Sequence, residues 1–257
     1  MTRGDLDRRH IVGELGMTIS VAGDDLQGIA AISPHMHVPG TTCLRTSIVA
    51  AFTDLLAGLL AGRVMGPRVP VTLDLAVDLF RPADGITRIE GVGRPVKAGR
   101  TVFVAGVDFT GDGQPLGTAS ATFMPVPDDS LRLPESALLL DRTRNETMRL
   151  DQPFAVRAGC IRQEPGVALL VRSDDGLNSS NTINGGLIAL VAEEAVLAAT
   201  PERTLSSLAL RYLRPARVGP LVATATAHGD VSRIEVRDTG SDDRLTVTAS
   251  ARTFRER

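Results

Sequence analysis

The sequence predicts an α+β protein of two similar halves in tandem, with two long helices packed against one continuous antiparallel β-sheet. Three observations carry this prediction. Apolar residues recur at helical spacing over residues 43–62 and again from Leu187 to Ala198, and alternating β-branched segments broken by turns follow the first of these. Short words then return in the same order: DLFRPA at 78–83 comes back as RYLRPA at 211–216, and TASATF at 118–123 as TASARTF at 248–254. Finally, one helix covers only one face of a sheet, so two halves joined side by side close the core by wrapping both helices in a shared sheet. The predicted domains are 1–126 and 151–257, joined by a linker over 127–150.

Taken in order, residues 11–32 alternate around Gly and Asp and predict two strands joined by a turn at Gly23-Asp24-Asp25. The polar loop SPHMHVPGTT leads into the first helix, 43–62, which has Thr46 and Ser47 near its start as caps and a single acid, Asp54. Gly62 and Gly66-Pro67 end it. Residues 69–123 predict four strands, with Gly111-Asp112-Gly113 as a hairpin turn. Over 125–152 the periodicity is lost and Pro and charge accumulate, with one short helical turn at Ser136–Leu140.

The second half centres on NSSNTINGGLIALVAEEA, residues 178–195. Asn178, Asn181 and Asn184 favour turns, and Gly185-Gly186 lets another group approach the backbone where no Cβ intervenes. The helix that follows begins with unpaired N–H groups, which attract carbonyl oxygens and oxyanions. Glu193 lies about 12 Å further along that helix, at ~1.5 Å of rise per residue. One helix therefore does not aim both groups at the same atom, whereas an antiparallel partner helix completes the pair.

Composition narrows the function classes. The chain has 257 residues, 43% of them hydrophobic, enough for a packed core. Aromatics make up 3%, with no Trp and one Tyr, and the formal charge is −2 without a basic run, so no nucleic-acid partner is expected. The N-terminal residues contain no apolar signal core, and no apolar run approaches the ~18 residues of a membrane span, so the expected location is the cytoplasm, away from membranes. Cys43 and Cys160 read as small hydrophobes, and His10 and His228 as surface residues. No His, Cys, Asp and Glu set has metal-ligand spacing, and the glycines of GVGRPVKAGR do not open a helix as a dinucleotide loop does. Neither a metal nor a cofactor is expected.

The residues resemble the hotdog-fold acyl-CoA thioesterases of the phenylacetyl-CoA and 4-hydroxybenzoyl-CoA type, arranged as a tandem double hotdog. That family often shows N-x-x-G-x-x-H-G-G, then Asp or Glu eight residues after the first paired glycine. Here the matching run is Asn178-Ser-Ser-Asn181-Thr-Ile-Asn184-Gly185-Gly186, followed by Glu193. LRYLRPARVG at 210–219 and LFRPADG at 79–85 look like the family's strand ending in Arg-Pro. TVFVAGVDFTGDGQPLGTASATF looks like its final hairpin. Asn184 replaces the common His and Asn181 the common Gly. In the first half Arg45-Thr46-Ser47 stands at the His-Gly-Gly place, with Asp54 eight residues after Thr46, so the halves are unequal.

The resemblance implies hydrolysis of an acyl-CoA thioester, with a helix-start amide polarising the carbonyl and a carboxylate attacking it or activating water. Two sites are candidates. The first combines the Gly185 amide, with Asn178 and Asn184 nearby, and Asp54; the second combines the Thr46 amide and Glu193. The first is favoured, because glycines permit close approach and Asn side chains orient a carbonyl or water. Of Glu193 and Glu194, one is expected to face solvent. Gly186, Thr46, His37, Arg81 and Arg214 are the candidate substrate contacts, the two arginines through a CoA phosphate, although a structural ion pair is the more common role of such an arginine. The rival functions are an enoyl-CoA hydratase or dehydratase, whose Asp-x-x-Pro-x-His loop is missing, and a non-catalytic acyl-CoA binding module. The tandem supplies internally the pairing that single hotdogs obtain by dimerising, and free sheet edges leave a homo-oligomer open.

Overall fold

Twelve strands join into one antiparallel sheet among the residues that the computed structural model describes, 10–128, 130–133 and 149–254. In chain order the first half supplies β1 (Thr18–Ala22), β2 (Asp25–Ala31), α1 (Thr46–Met65), β3 (Pro70–Leu79), β4 (Arg88–Ala98), β5 (Phe103–Gly111) and β6 (Gln114–Pro125). The second half supplies α2 (Phe154–Arg157), β7 (Cys160–Glu164), β8 (Val167–Leu170), α3 (Gly185–Ala199), β9 (Leu205–Tyr212), β10 (Leu221–His228), β11 (Val231–Asp238) and β12 (Arg244–Thr253).

The strand order β1-β2-β4-β5-β6-β3-β9-β12-β11-β10-β8-β7 reads the same from either edge once the halves are superposed. The halves meet at β3 and β9, where Asp74 pairs with Arg211 and Ala76 with Ala209. The words DLFRPA and RYLRPA mark this seam, since each starts in the last residues of one of its two strands. Both long helices lie on one face. Fourteen of the twenty residues of α1 and thirteen of the fifteen of α3 are buried, which is why each is apolar around most of its circumference. Two glycines on β4 make room for α1: a Cβ on Gly91 would sit 3.0 Å from Leu56, and one on Gly93 would sit 3.3 Å from Leu60. The helices also meet closely, because a Cβ on Gly186 would sit 2.6 Å from that of Ala51.

Four readings change. Ile11–Leu15 is a 3-10 turn, not part of a strand, and its Glu14 is buried in a two-pronged pair with Arg157. His10 sits half-buried, with Nε2 3.0 Å from the Leu177 carbonyl, and is not a free surface residue. Helix α1 begins at Thr46, three residues later than predicted, and neither Thr46 nor Ser47 caps it through its own side chain. By length and composition α1 could cross a membrane, contrary to the sequence reading, but 67% of that apolar window is buried inside the protein. It is a core helix. The helical turn expected at Ser136–Leu140 lies outside the described residues.

Candidate active site

At the start of α1 the helix end is filled by the protein itself. Glu193, reaching across from α3, accepts the Thr46 N–H at 2.8 Å and the Ser47 N–H at 3.3 Å through Oε1. Its Oε2 accepts the Ser47 hydroxyl at 2.5 Å and pairs with Arg45 Nη1 at 3.3 Å. Arg45 also pairs with Glu194 at 2.5 Å, and Arg162 holds Glu194 from the other side. Arg45, Glu193 and Glu194 are 1%, 0% and 3% exposed, so these three are closed to solution and only Arg162 at the edge meets it. Burial pushes the Glu193 carboxyl above its ordinary pKa, while Arg45 and Ser47 pull it back.

At the start of α3 the arrangement is open. Asn184 caps the helix, its Oδ1 accepting the Gly186 N–H at 2.8 Å. Among the described residues no hydrogen bond uses the Gly185 N–H. Asp54, eight residues into α1, stands beside it: a Cβ built on Gly185 would lie 3.1 Å from Asp54 Oδ2 and 3.1 Å from the Tyr212 hydroxyl. Thr72 donates to Asp54 Oδ1 at 2.8 Å, and Tyr212 donates to the Gly185 carbonyl at 3.1 Å. Desolvation raises the Asp54 pKa to about 6 against the opposing Thr72 hydrogen bond, and burial together with Asp54 raises that of Tyr212 well above the ordinary phenol value.

A β-bulge aims Thr72. Thr72 pairs with Phe123 and Asp74 with Thr122, so Leu73 is the extra residue, and the bulge turns Thr72 to the helix side of the sheet. The second half repeats the bulge: Arg252 pairs with Ser207 and Thr253 with Leu205, leaving Ser206 extra. There the position matching Thr72 is the buried Leu205, so only the first half offers a hydroxyl to its neighbouring acid.

Residues 47–118 match the family model described as Thioesterase superfamily. The chain also resembles solved structures along most of its length. One is an acyl-ACP thioesterase from Bacteroides thetaiotaomicron, at 15% identity over 90% of this chain and 98% of that one, with a TM-score of 0.61. A second is the 12:0-ACP thioesterase from Umbellularia californica, at 14% identity, 92% and 100% coverage, and a TM-score of 0.65. A third is a protein with hot dog fold from Alicyclobacillus acidocaldarius, at 14% identity, 96% and 99% coverage, and a TM-score of 0.56. The chain has the double hotdog fold. No curated protein matches the sequence.

The double hotdog brings together Asp54, Gly185, Gly186 and Asn184, but gives the asparagines other partners than a substrate. Asn184 holds the helix start, and Asn178 Oδ1 accepts the N–H and hydroxyl of both Ser180 and Thr182, which shapes the loop. Glu193 and Thr46 bond each other, and Glu194 is buried, so neither glutamate faces solvent. Gly186 serves the helix crossing. His37 lies in the loop before α1, bridged to Leu44, where burial lowers its pKa despite nearby Asp84. Arg81 donates to the carbonyls of Pro115 and Gly111, and Arg214 to that of Leu245, so each braces a neighbouring hairpin, and among the described residues neither forms an ion pair. Thr72 and Tyr212 escaped the sequence reading. Thr72 sits at an outward place in the alternation until the bulge is known, whereas Tyr212, the one tyrosine at the end of the RYLRPA strand, left a signal in its rarity.

Proposed function

We propose that the chain hydrolyses an acyl-CoA thioester at one site, formed by Asp54 and the Gly185 amide, and that the pseudo-equivalent site is structural. The observation that carries this reading is the difference between the two helix starts. Glu193 consumes the Thr46 and Ser47 N–H groups, while the Gly185 N–H is unused beside a carboxylate. An unused amide at a helix start donates to the thioester carbonyl oxygen and strengthens that bond as the oxygen becomes an oxyanion. Asp54 assists attack on the carbonyl carbon, and the tetrahedral intermediate collapses with loss of the thiolate.

Activity depends on Asp54 being ionised. With its pKa near 6, kcat/KM is expected to rise about tenfold per unit as pH approaches 6 from below, then level off above it. A flat profile between pH 5 and 7.5 would remove Asp54 from this role.

Gly185→Ala tests the site sterically. The added methyl meets both Asp54 Oδ2 and Tyr212 at 3.1 Å, tighter than ordinary contact, inside the space a thioester needs. Helix propensity favours Ala over Gly, so the fold is expected to stand while kcat/KM falls by about a hundredfold, roughly 2.7 kcal/mol of barrier.

The deciding experiment is thiol release by the purified chain from short, medium, long and aryl acyl-CoAs. Two structural neighbours are named for acyl-ACP, so acyl-ACP belongs in the panel. CoA binding without thiol release would favour a binding module, and hydration of an enoyl-CoA would favour the hydratase.

A further inference from the structure

Tyr212 is the group at this site that the mechanism above leaves without work. It ends β9, lies half-buried on the helix side of the sheet, and is the single tyrosine of the chain. Its hydroxyl and Asp54 Oδ2 each lie 3.1 Å from one point, the Cβ position of Gly185, so they are no more than 6.2 Å apart. A single water spans up to about 5.6 Å between two oxygens at ordinary hydrogen-bond lengths of ~2.8 Å. The tyrosine hydrogen already points elsewhere, to the Gly185 carbonyl at 3.1 Å, which leaves the phenol oxygen's lone pairs for a hydrogen coming from the other side. Asp54 Oδ1 is likewise engaged, by Thr72, which leaves Oδ2 as the acceptor on this side.

We infer that Tyr212 and Asp54 together hold the attacking water, which donates one hydrogen to Asp54 Oδ2 and the other to the Tyr212 hydroxyl oxygen. This rests on the thioesterase reading and decides within it what attacks. With both hydrogens fixed, a lone pair of the water is directed at the carbonyl carbon of a thioester whose oxygen sits on the Gly185 N–H. The water oxygen bonds to that carbon, its proton passes to Asp54 Oδ2, and the electron pair of the C=O bond moves to oxygen. On collapse the C–S bond breaks, the thiolate leaves with its electron pair, and the proton held by Asp54 passes to the sulfur. Tyr212 gives up no proton at any step. It is a water-positioning residue.

Tyr212→Phe removes the hydroxyl and keeps the ring. Thiol release is followed with water alone and with added hydroxylamine, counting only the enzyme-dependent rate. The expected result is a ten- to hundredfold fall in kcat for hydrolysis, KM within twofold, and hydroxylaminolysis within about threefold of wild type, because an added nucleophile does not need the lost water contact. Unchanged hydrolysis would overturn the inference and leave the thioesterase reading standing. Equal loss of both reactions would also overturn it, as the tyrosine would then only shape the site. So would a one-equivalent burst of thiol from Tyr212→Phe, since the carboxylate itself would then be the attacking group. Wild-type protein inert towards every thioester would overturn both.

Discussion

Asp54→Asn abolishes turnover without loss of the fold: thiol release is expected to fall by about 10²- to 10⁴-fold, the range for losing a positioned acid–base group. Asparagine keeps the shape and its Oδ1 still accepts the Thr72 hydroxyl, but its amide cannot take a proton. The effect on stability runs the other way. The Asp54 pKa is raised from 3.8 to about 6 in the folded chain, so the fold favours the neutral acid. The stability this confers is fully present below about pH 4 and is lost as pH rises through 6. At pH 7 the buried charge opposes folding by up to about 3 kcal/mol, at ~1.4 kcal/mol per pKa unit. Asp54→Asn is therefore expected to be at least as resistant to denaturant as wild type at pH 7, with the gap closing by pH 4. Urea unfolding at both pH values, alongside a thiol-release assay, checks both halves, and retained turnover would sink the assignment.

The glutamate at the matching place behaves in the opposite manner. Glu193→Ala strips the start of α1 of its acceptor and leaves Arg45, 1% exposed, with Glu194 alone. Breaking a buried ion pair by removing one partner costs about 3 to 5 kcal/mol. For a chain of this size that corresponds to a melting temperature lower by on the order of 10 °C. Glu193→Gln, which keeps the volume and one acceptor oxygen, is expected to lose less. The folded fraction of either variant retains hydrolysis, because the Gly185 site does not use this carboxylate. Stability lost with turnover kept at Glu193, against turnover lost with stability kept at Asp54, is the pattern that separates a structural carboxylate from a working one. Turnover lost in Glu193→Gln at full stability would reverse the choice between the two helix starts.

The repeat, the two apolar helices and the strand-rich segments were all legible because they are local patterns. DLFRPA and RYLRPA mark the two strands that pair at the seam, and α1 and α3 show their burial in continuous apolar text. Ile11–Leu15 misled because five residues around a glycine alternate as a strand does while closing 3-10 hydrogen bonds. The facing of Asp54 with Gly185, and of Glu193 with Thr46, was an expectation of the resemblance together with the helix rise, and the structure places these atoms side by side.

Sequence alone determined the tandem architecture and the presence of an acid eight residues into each buried helix, Asp54 in one and Glu193 in the other, since periodicity and repetition are properties of the chain itself. It did not distinguish the two acids. Only the tertiary structure did so, by bringing Arg45, Ser47 and Arg162 to the Glu193–Glu194 pair from residues up to 148 positions away, while leaving the Gly185 amide unused beside Asp54. The same holds for Thr72, whose hydroxyl reaches Asp54 because a one-residue bulge reverses its side of the sheet. Whether a buried carboxylate is locked or available depends on which distant donors converge on it, and that convergence exists only once the two halves have closed around their helices.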